Sequence, residues 1–166
     1  MKKLFCLIVI ASAILMGACD NGNKKVDKAK ETEAIKLVLE KYALANENQD
    51  MGLIEDIWCP SESIVSFGTE GGEKHIGFKE IKRAVQNQFD NFTDTFISYR
   101  DQIIEVNESG NTAWFSEIIN YNFILNGEAH SYVGLRYTGV LVKRDGKWKL
   151  VQTHMSVPAV PQPTLE

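Results

Sequence analysis

Residues Tyr132 to Val157 read YVGLRYTGVLVKRDGKWKLVQTHMSV, two apolar-rich runs on either side of Arg144-Asp145-Gly146. Asp-Gly between strand-like runs is the strongest short-range hairpin signal a sequence carries. With a three-residue loop and Gly146 in the left-handed bulge position, Val142 faces Trp148. One face then presents Arg136, Thr138, Val140 and Val142 beside Trp148, Leu150, Gln152, His154 and Ser156. The other presents Tyr137, Gly139 and Leu141 beside Val151, Thr153 and Met155. A two-residue turn instead shifts one strand and swaps its faces. In either register both faces are largely apolar, so helices must cover one and something else the other.

The 166 residues as a whole, 44% hydrophobic and 24% charged, suit one globular domain behind an N-terminal leader. Met1-Lys2-Lys3 is basic, and Leu4 to Leu15 is an apolar run too short to span a bilayer but right for an export signal. It ends in Leu15-Met16-Gly17-Ala18-Cys19, which resembles the bacterial lipobox. That resemblance implies a signal peptide over residues 1–18, cleavage before Cys19, and lipid on Cys19. The domain would then be anchored to a membrane of the bacterial cell envelope, outside the cytoplasm. A cut after Ala18 without lipid is the alternative. Lys2 and Lys3 leave with the signal, so 16 basic residues face 22 acidic ones, a net charge of −6. An acidic chain without a basic cluster is a poor partner for nucleic acid. Of the three cysteines, only Cys59 remains inside the domain, so no internal disulfide supports the fold. Directly before Pro60, Cys59 reads as a small buried hydrophobe rather than a nucleophile.

Residues 19–30 are polar and aperiodic, a flexible tether; the domain spans 31–158, and the Pro-rich residues 159–166 are a disordered tail. Ile35, Val38, Leu39 and Tyr42 recur at helical spacing, which predicts a helix over Glu31–Asn46. Asp50 caps a second, short helix with Leu53, Ile54, Ile57 and Trp58 on its apolar face, ended by Pro60. Ser63 to Phe67 is a short strand, and Gly68 to Gly72 a loop. Phe78, Ile81, Val85, Phe89 and Phe92 mark a third helix. Strands follow: Phe96–Val106, a turn at Glu108–Asn111, Ala113–Leu125, a turn at Asn126-Gly127, then the final hairpin. Helices first and antiparallel strands after predict an α+β domain.

This order of elements, closing on Asp145-Gly146-Lys147-Trp148 and Gln152-x-His154-x-Ser156, resembles the SnoaL-like branch of the nuclear transport factor 2 superfamily over Glu31 to Pro158. The closing segment is also similar to the association domain of calcium/calmodulin-dependent kinase II. Trp58-Cys59-Pro60 and the helix start at Gly77-Phe78 fit as well. The resemblance implies a cone-shaped, cystatin-like fold: a curved antiparallel sheet packed on three helices, with a pocket inside and commonly a homodimer through the outer sheet face. Such a fold hosts isomerases, cyclases, dehydratases and assembly modules alike, so function must come from residues. The tyrosine of isomerase relatives matches Tyr42. Their general base falls on Ser66 or Phe67 and their second acid near Thr138 or Gly139, none of them carboxylates. A donor without a base abstracts no proton. The pocket arginines of the association domain fall on Ile119, Gly139 and Met155.

The same resemblance turns Phe115, Glu117, Ile119, Tyr121 and Phe123 inward. Tyr42, Trp58, Phe67, Phe115, Glu117, Tyr121, Tyr137 and Thr153 are the expected ligand pocket. Glu117 is the one carboxylate expected inside, and an apolar setting should raise its pKa, so Glu117 with Tyr42 is the candidate catalytic pair. The alternative is a glutamate hydrogen-bonded to tyrosine hydroxyls, or one at the cone's mouth in water. Arg136, Trp148, Gln152, His154 and Ser156 are expected on the outer face as a subunit interface. His154, Ser156 and Gln152 alternate on one strand, which does not assemble a nucleophile with its base. His75, His130 and His154 are scattered without carboxylate spacing, so no metal site is expected, and no glycine-rich phosphate loop calls for a cofactor. The expected function is a membrane-tethered domain binding a small hydrophobic or weakly polar molecule. An isomerase, cyclase or dehydratase using Glu117 and Tyr42, or a homo-oligomeric assembly module, are the alternatives.

Overall fold

In the computed structural model, which describes residues 25–159, three helices and six strands alternate as the spacing requires. They are α1 (Lys28–Glu47), α2 (Met51–Ile57), β1 (Val65–Phe67), β2 (Lys74–Ile76), α3 (Phe78–Asn91), β3 (Phe92–Val106), β4 (Thr112–Leu125), β5 (Glu128–Arg144) and β6 (Lys147–Ser156). The sheet order is β2-β1-β6-β5-β4-β3. The expectations for residues 1–18 and Cys19, and those for most of the tail, lie outside the described residues.

The final hairpin closes on two residues, not three. Asp145 and Gly146 both take left-handed backbone angles, φ 49° and 77°, and Arg144 pairs with Lys147. That is the mirror-image turn whose twist matches the flanking strands, and Asp tolerates the angle that glycine takes freely. Lys143 therefore faces Trp148, and Leu141 faces Leu150. A bulge at Val151 then restores the alternation, and Val140 faces Gln152. Beyond it the two faces hold the residues expected of them, in a pairing displaced by two. Before it they do not. Trp148 lies on the inner face, 4% exposed, rather than at the outer face with His154.

Three further expectations are corrected. α1 begins at Lys28, because Asp27 accepts from the Lys30 amide at 3.1 Å, so the last residues read as tether are helix. β2 follows the loop read over Gly68 to Gly72, and β1 runs parallel to β6, making the sheet mixed rather than wholly antiparallel. α3 stops at Asn91, and Phe92 already starts β3. α2 follows the cap reading, with Asp50 accepting from the Leu53 amide at 3.1 Å. Trp58 leaves that helix in an extended conformation, bridges to Leu150, and the Cys59 amide donates to the Leu150 carbonyl at 2.9 Å.

Register shifts at Thr93/Phe96 and Arg100/Ile103 in β3, with Asp94 and Asp101 at positive φ, interrupt the longest pairing and let the sheet bend. Its inner face carries Phe115, Glu117, Ile119, Tyr121 and Phe123, all buried as expected, against Ile35, Val38 and Leu39 of α1 and Ile54 and Ile57 of α2. The outer face carries Phe96, Ile103, Trp114 and Val133, each more than half exposed.

Candidate functional site

Inside the bend lies a cavity of about 840 Å³, within the range of small-molecule sites. Its buried end is formed by Tyr42 of α1, Trp58, Ser66 of β1, Tyr137 of β5 and Thr153 of β6. Tyr121, Phe123, Tyr132 and Phe92 line its flank, and Glu70, Glu73, His75, Glu80 and Arg83 line the more exposed end. The aromatic walls are packed against each other. The Tyr42 and Tyr137 rings lie 4.9 Å apart at 30°, Phe115 meets Tyr137 edge-on at 5.1 Å, and Phe92 stacks on Phe123 at 4.0 Å.

Polar groups at this site fall into three sets. Ser66 and Thr153 share a hydroxyl–hydroxyl hydrogen bond of 3.0 Å, joining the two parallel strands. The buried Asn46 links α1, α3 and β4. Its Oδ1 accepts from Gln88 Nε2 at 2.9 Å and from the Tyr121 hydroxyl at 3.2 Å, while its Nδ2 donates to the Tyr42 carbonyl. In the third, Trp58 Nε1 is buried without a hydrogen-bond partner among the described residues, while the buried Tyr137 hydroxyl lies with the hydroxyls of Tyr42 and Thr153. Burial pushes the Tyr42 hydroxyl up to about 12 and those of Tyr121 and Tyr137 higher still, so all three remain protonated donors at neutral pH.

Six of the eight expected pocket residues line the cavity: Tyr42, Trp58, Phe67, Tyr121, Tyr137 and Thr153. Phe67 does so only at the edge. It pairs in register with His154, 39% exposed, and its ring lies edge-on to that imidazole. Phe115 and Glu117 share the inner face but do not line the cavity; Tyr42 and Tyr137 close that side. Glu117 is 6% exposed and accepts from Gln102 Nε2 at 2.7 Å, so its partner is an amide rather than a tyrosine hydroxyl. The bulge at Asp101 is what breaks the alternation beside Gln102. Of the expected interface residues, Arg136 and His154 are exposed and Gln152 and Ser156 half-buried, whereas Trp148 donates its indole N–H to Glu31 Oε2 at 2.7 Å.

Among the described residues no group of three or more His, Cys, Asp or Glu is placed to hold a metal. Asn46, Gln88 and Gln102 were missed from the sequence. Asn46 had a signal, a polar residue four after Tyr42 on an apolar stripe, and Gln102 had none.

The SnoaL-like domain model matches residues 35–160. The chain belongs to the SnoaL-like family. No curated protein matches it in sequence. Solved structures similar to this SnoaL-like domain share its fold at low identity. A nuclear transport factor 2-like superfamily protein from Salmonella enterica serovar Typhimurium has a TM-score of 0.72 at 17% identity, covering 81% of this chain and 95% of that one. A protein from Xanthomonas campestris described as a calcium/calmodulin-dependent protein kinase II association domain has a TM-score of 0.65 at 20% identity, covering 81% and 91%. A type 2 hexachlorocyclohexane dehydrochlorinase, LinA, has a TM-score of 0.67 at 15% identity, covering 76% and 84%.

Burial holds the Glu117 carboxyl of this SnoaL-like domain above its ordinary value of 4.5, opposed in part by the Gln102 hydrogen bond. A pKa raised in the folded state contributes stability below the unfolded value, and that stability is lost as pH rises through the folded one. Glu117→Gln cannot ionise. It should therefore melt with the wild type near pH 4 and at higher temperature near pH 8, measured by circular dichroism. Parallel melting curves across that range would contradict the buried carboxylate.

Proposed function

We propose that this SnoaL-like domain binds a small, uncharged, largely apolar molecule inside its cone and does not transform it. One observation carries the reading. The cavity is walled by aromatic rings, and its buried end holds hydroxyls and an indole but no carboxylate. Proton abstraction needs a base within reach of the bound molecule. Glu117, the candidate base, is bound to Gln102 and stops short of the wall. The dehydrochlorinase relative is an enzyme by name, and an activity of that kind with Glu117 and Tyr42 is the rival reading.

The test is binding of 2-ethylnaphthalene, followed by quenching of tryptophan fluorescence, in the wild type and in Ala84→Trp, which places an indole at the cavity wall. The expected result is one site per chain and at least about tenfold weaker binding in the folded variant. Binding unaffected by Ala84→Trp would place the probe elsewhere and remove the reading.

Two parts of the reading concern surroundings. Lipid on Cys19 would hold the domain at an envelope membrane, and Cys19→Ser should release it to the soluble fraction. The exposed apolar side chains of the outer face, Trp114 and Ile103 among them, support a homodimer through that face, with Arg136, Gln152, His154 and Ser156 in it. A monomer in sedimentation at tens of micromolar would defeat the dimer.

A further inference from the structure

A backbone carbonyl fixes the orientation of every amide in the Asn46 network. The Tyr42 carbonyl can only accept, so the Asn46 atom 2.8 Å from it is the Nδ2 donor. Asn46 therefore turns Oδ1 toward α3, where Gln88 meets it with Nε2 at 2.9 Å. The second proton of Gln88 Nε2 goes to the Tyr121 oxygen, and Tyr121 gives its own proton to Asn46 Oδ1 at 3.2 Å. Both Gln88 donors are spent, which leaves the side chain only its carbonyl oxygen. That Oε1 accepts from none of the described residues and, unlike Trp58 Nε1, is not sealed from solvent. Gln88 itself is half-buried and lines the cavity one helical turn before Phe92.

Building on the small-ligand reading, we infer that Gln88 Oε1 is a fixed acceptor for one neutral hydrogen-bond donor of the bound molecule, a hydroxyl or amide N–H on an aromatic body. Orientation makes the group selective. An unrestrained glutamine turns its amide to suit a donor or an acceptor. Turning Gln88 would set its oxygen against Asn46 Oδ1, two acceptors with no proton between them, and would strip Tyr121 of a donor. A carbonyl or carboxylate of the ligand therefore meets a lone pair at this point and not an N–H. Charge is disfavoured as well, because the cavity-lining residues within one turn of Gln88 on this segment are Ala84, Val85, Asn87, Asn91 and Phe92, all uncharged. An ion of either sign held there would give up its hydration without a counter-charge. Phe92 and Tyr132 on the same flank supply apolar surface for the rings of the donor's carrier.

Four naphthalenes separate the possibilities: 2-naphthol, 2-methylnaphthalene, 2-acetylnaphthalene and 2-(aminomethyl)naphthalene. Each is titrated by equilibrium dialysis into wild type and Gln88→Met, which keeps the length of the side chain and removes its oxygen. Comparing affinity ratios between the two proteins cancels the different hydration of the probes. The naphthol-to-methylnaphthalene ratio should fall about fivefold in the variant, the worth of one hydrogen bond, and the acetylnaphthalene-to-methylnaphthalene ratio should not fall. Gln88→Met also deprives Asn46 and Tyr121 of a partner, so a second readout uses the wild type alone. The Gln88 side-chain carbonyl carbon, observed by nuclear magnetic resonance through its own methylene protons, should move downfield with 2-naphthol and stay in place with 2-methylnaphthalene. A carbonyl unmoved by saturating 2-naphthol would overturn the acceptor, while binding of 2-methylnaphthalene would leave the cavity reading intact. An acetylnaphthalene ratio that falls as far as the naphthol ratio would show that the amide turns to suit its ligand, and would overturn it too. Tighter binding of the ammonium probe than of 2-naphthol would overturn the neutral donor, and failure of all four probes would remove both readings.

Discussion

Gly139→Ala should lower the stability of the domain by roughly 3 kcal/mol, seen as a lower urea midpoint with an unchanged slope. A Cβ at this position would lie 2.5 Å from the Gln152 carbonyl oxygen and 2.5 Å from Phe115 Cε1. Neither neighbour can yield cheaply. Gln152 is held in the β5–β6 ladder, paired with Val140, and Phe115 is fixed edge-on against Tyr137. The cost comes from overpacking, since Gly139 does not have the positive φ that favours glycine. A carboxylate at Gly139 would have to displace Phe115 or open the ladder. An alanine variant as stable as the wild type would show that the ring or the strand gives way.

Glu31→Ala should cost about 2–3 kcal/mol, the range for a part-buried charge that satisfies other buried groups. Glu31 sits in the first turn of α1 and accepts from Lys143 Nζ at 2.6 and 2.7 Å and from Trp148 Nε1 at 2.7 Å. Alanine leaves the buried indole without an acceptor and Lys143, its side chain 27% exposed, without its counter-charge. Burial alone would raise the Glu31 carboxyl, but the hydrogen bonds from Lys143 and Trp148 outweigh it and hold it below 4.5. A depressed folded-state pKa contributes stability above the unfolded value, which fades as pH falls through the folded one. The penalty of Glu31→Ala should therefore be full at neutral pH and shrink in acid. Glu33→Ala, a few residues on, makes the control. Its pair with Lys36 is exposed on both sides, and its loss should stay within about 0.5 kcal/mol.

Much of this architecture is written in the alternation of side chains. β4 runs Phe115, Glu117, Ile119, Tyr121, Phe123 without a slip, and both its face and its turn at Asn126-Gly127 follow directly. β6 defeats the same logic, because Leu150 and Val151 are both apolar and give no sign of which residue is the extra one. One misplaced bulge was enough to put Trp148 on the wrong face. β2 is three residues, Lys74 to Ile76, too short to show a period, and it is held by β1 rather than by its own pattern. The site divides in the same way. The family resemblance told which residues turn inward but not how deep they lie, so Tyr42, Tyr121, Tyr137 and Thr153 were legible through it as cavity residues. Glu117 was placed on the correct face, yet a layer behind the wall it was expected to form.

The parallel pairing of β1 with β6 bears on the order in which the molecule assembles. Ser66 meets Thr153 across 87 residues and Glu31 meets Lys143 across 112, so early segments find their partners only in the last hairpin. Contacts this distant are paid for late, after loop-closure entropy, and they slow the search. A nascent chain that has emerged as far as β5 can form the α1–α2 pair and the β3–β4–β5 meander, but it lacks the strand that seats Trp58 and Cys59 and leaves β1 with β2 alone. The buried end of the cavity is completed only by Thr153, close to the final residue of the sheet.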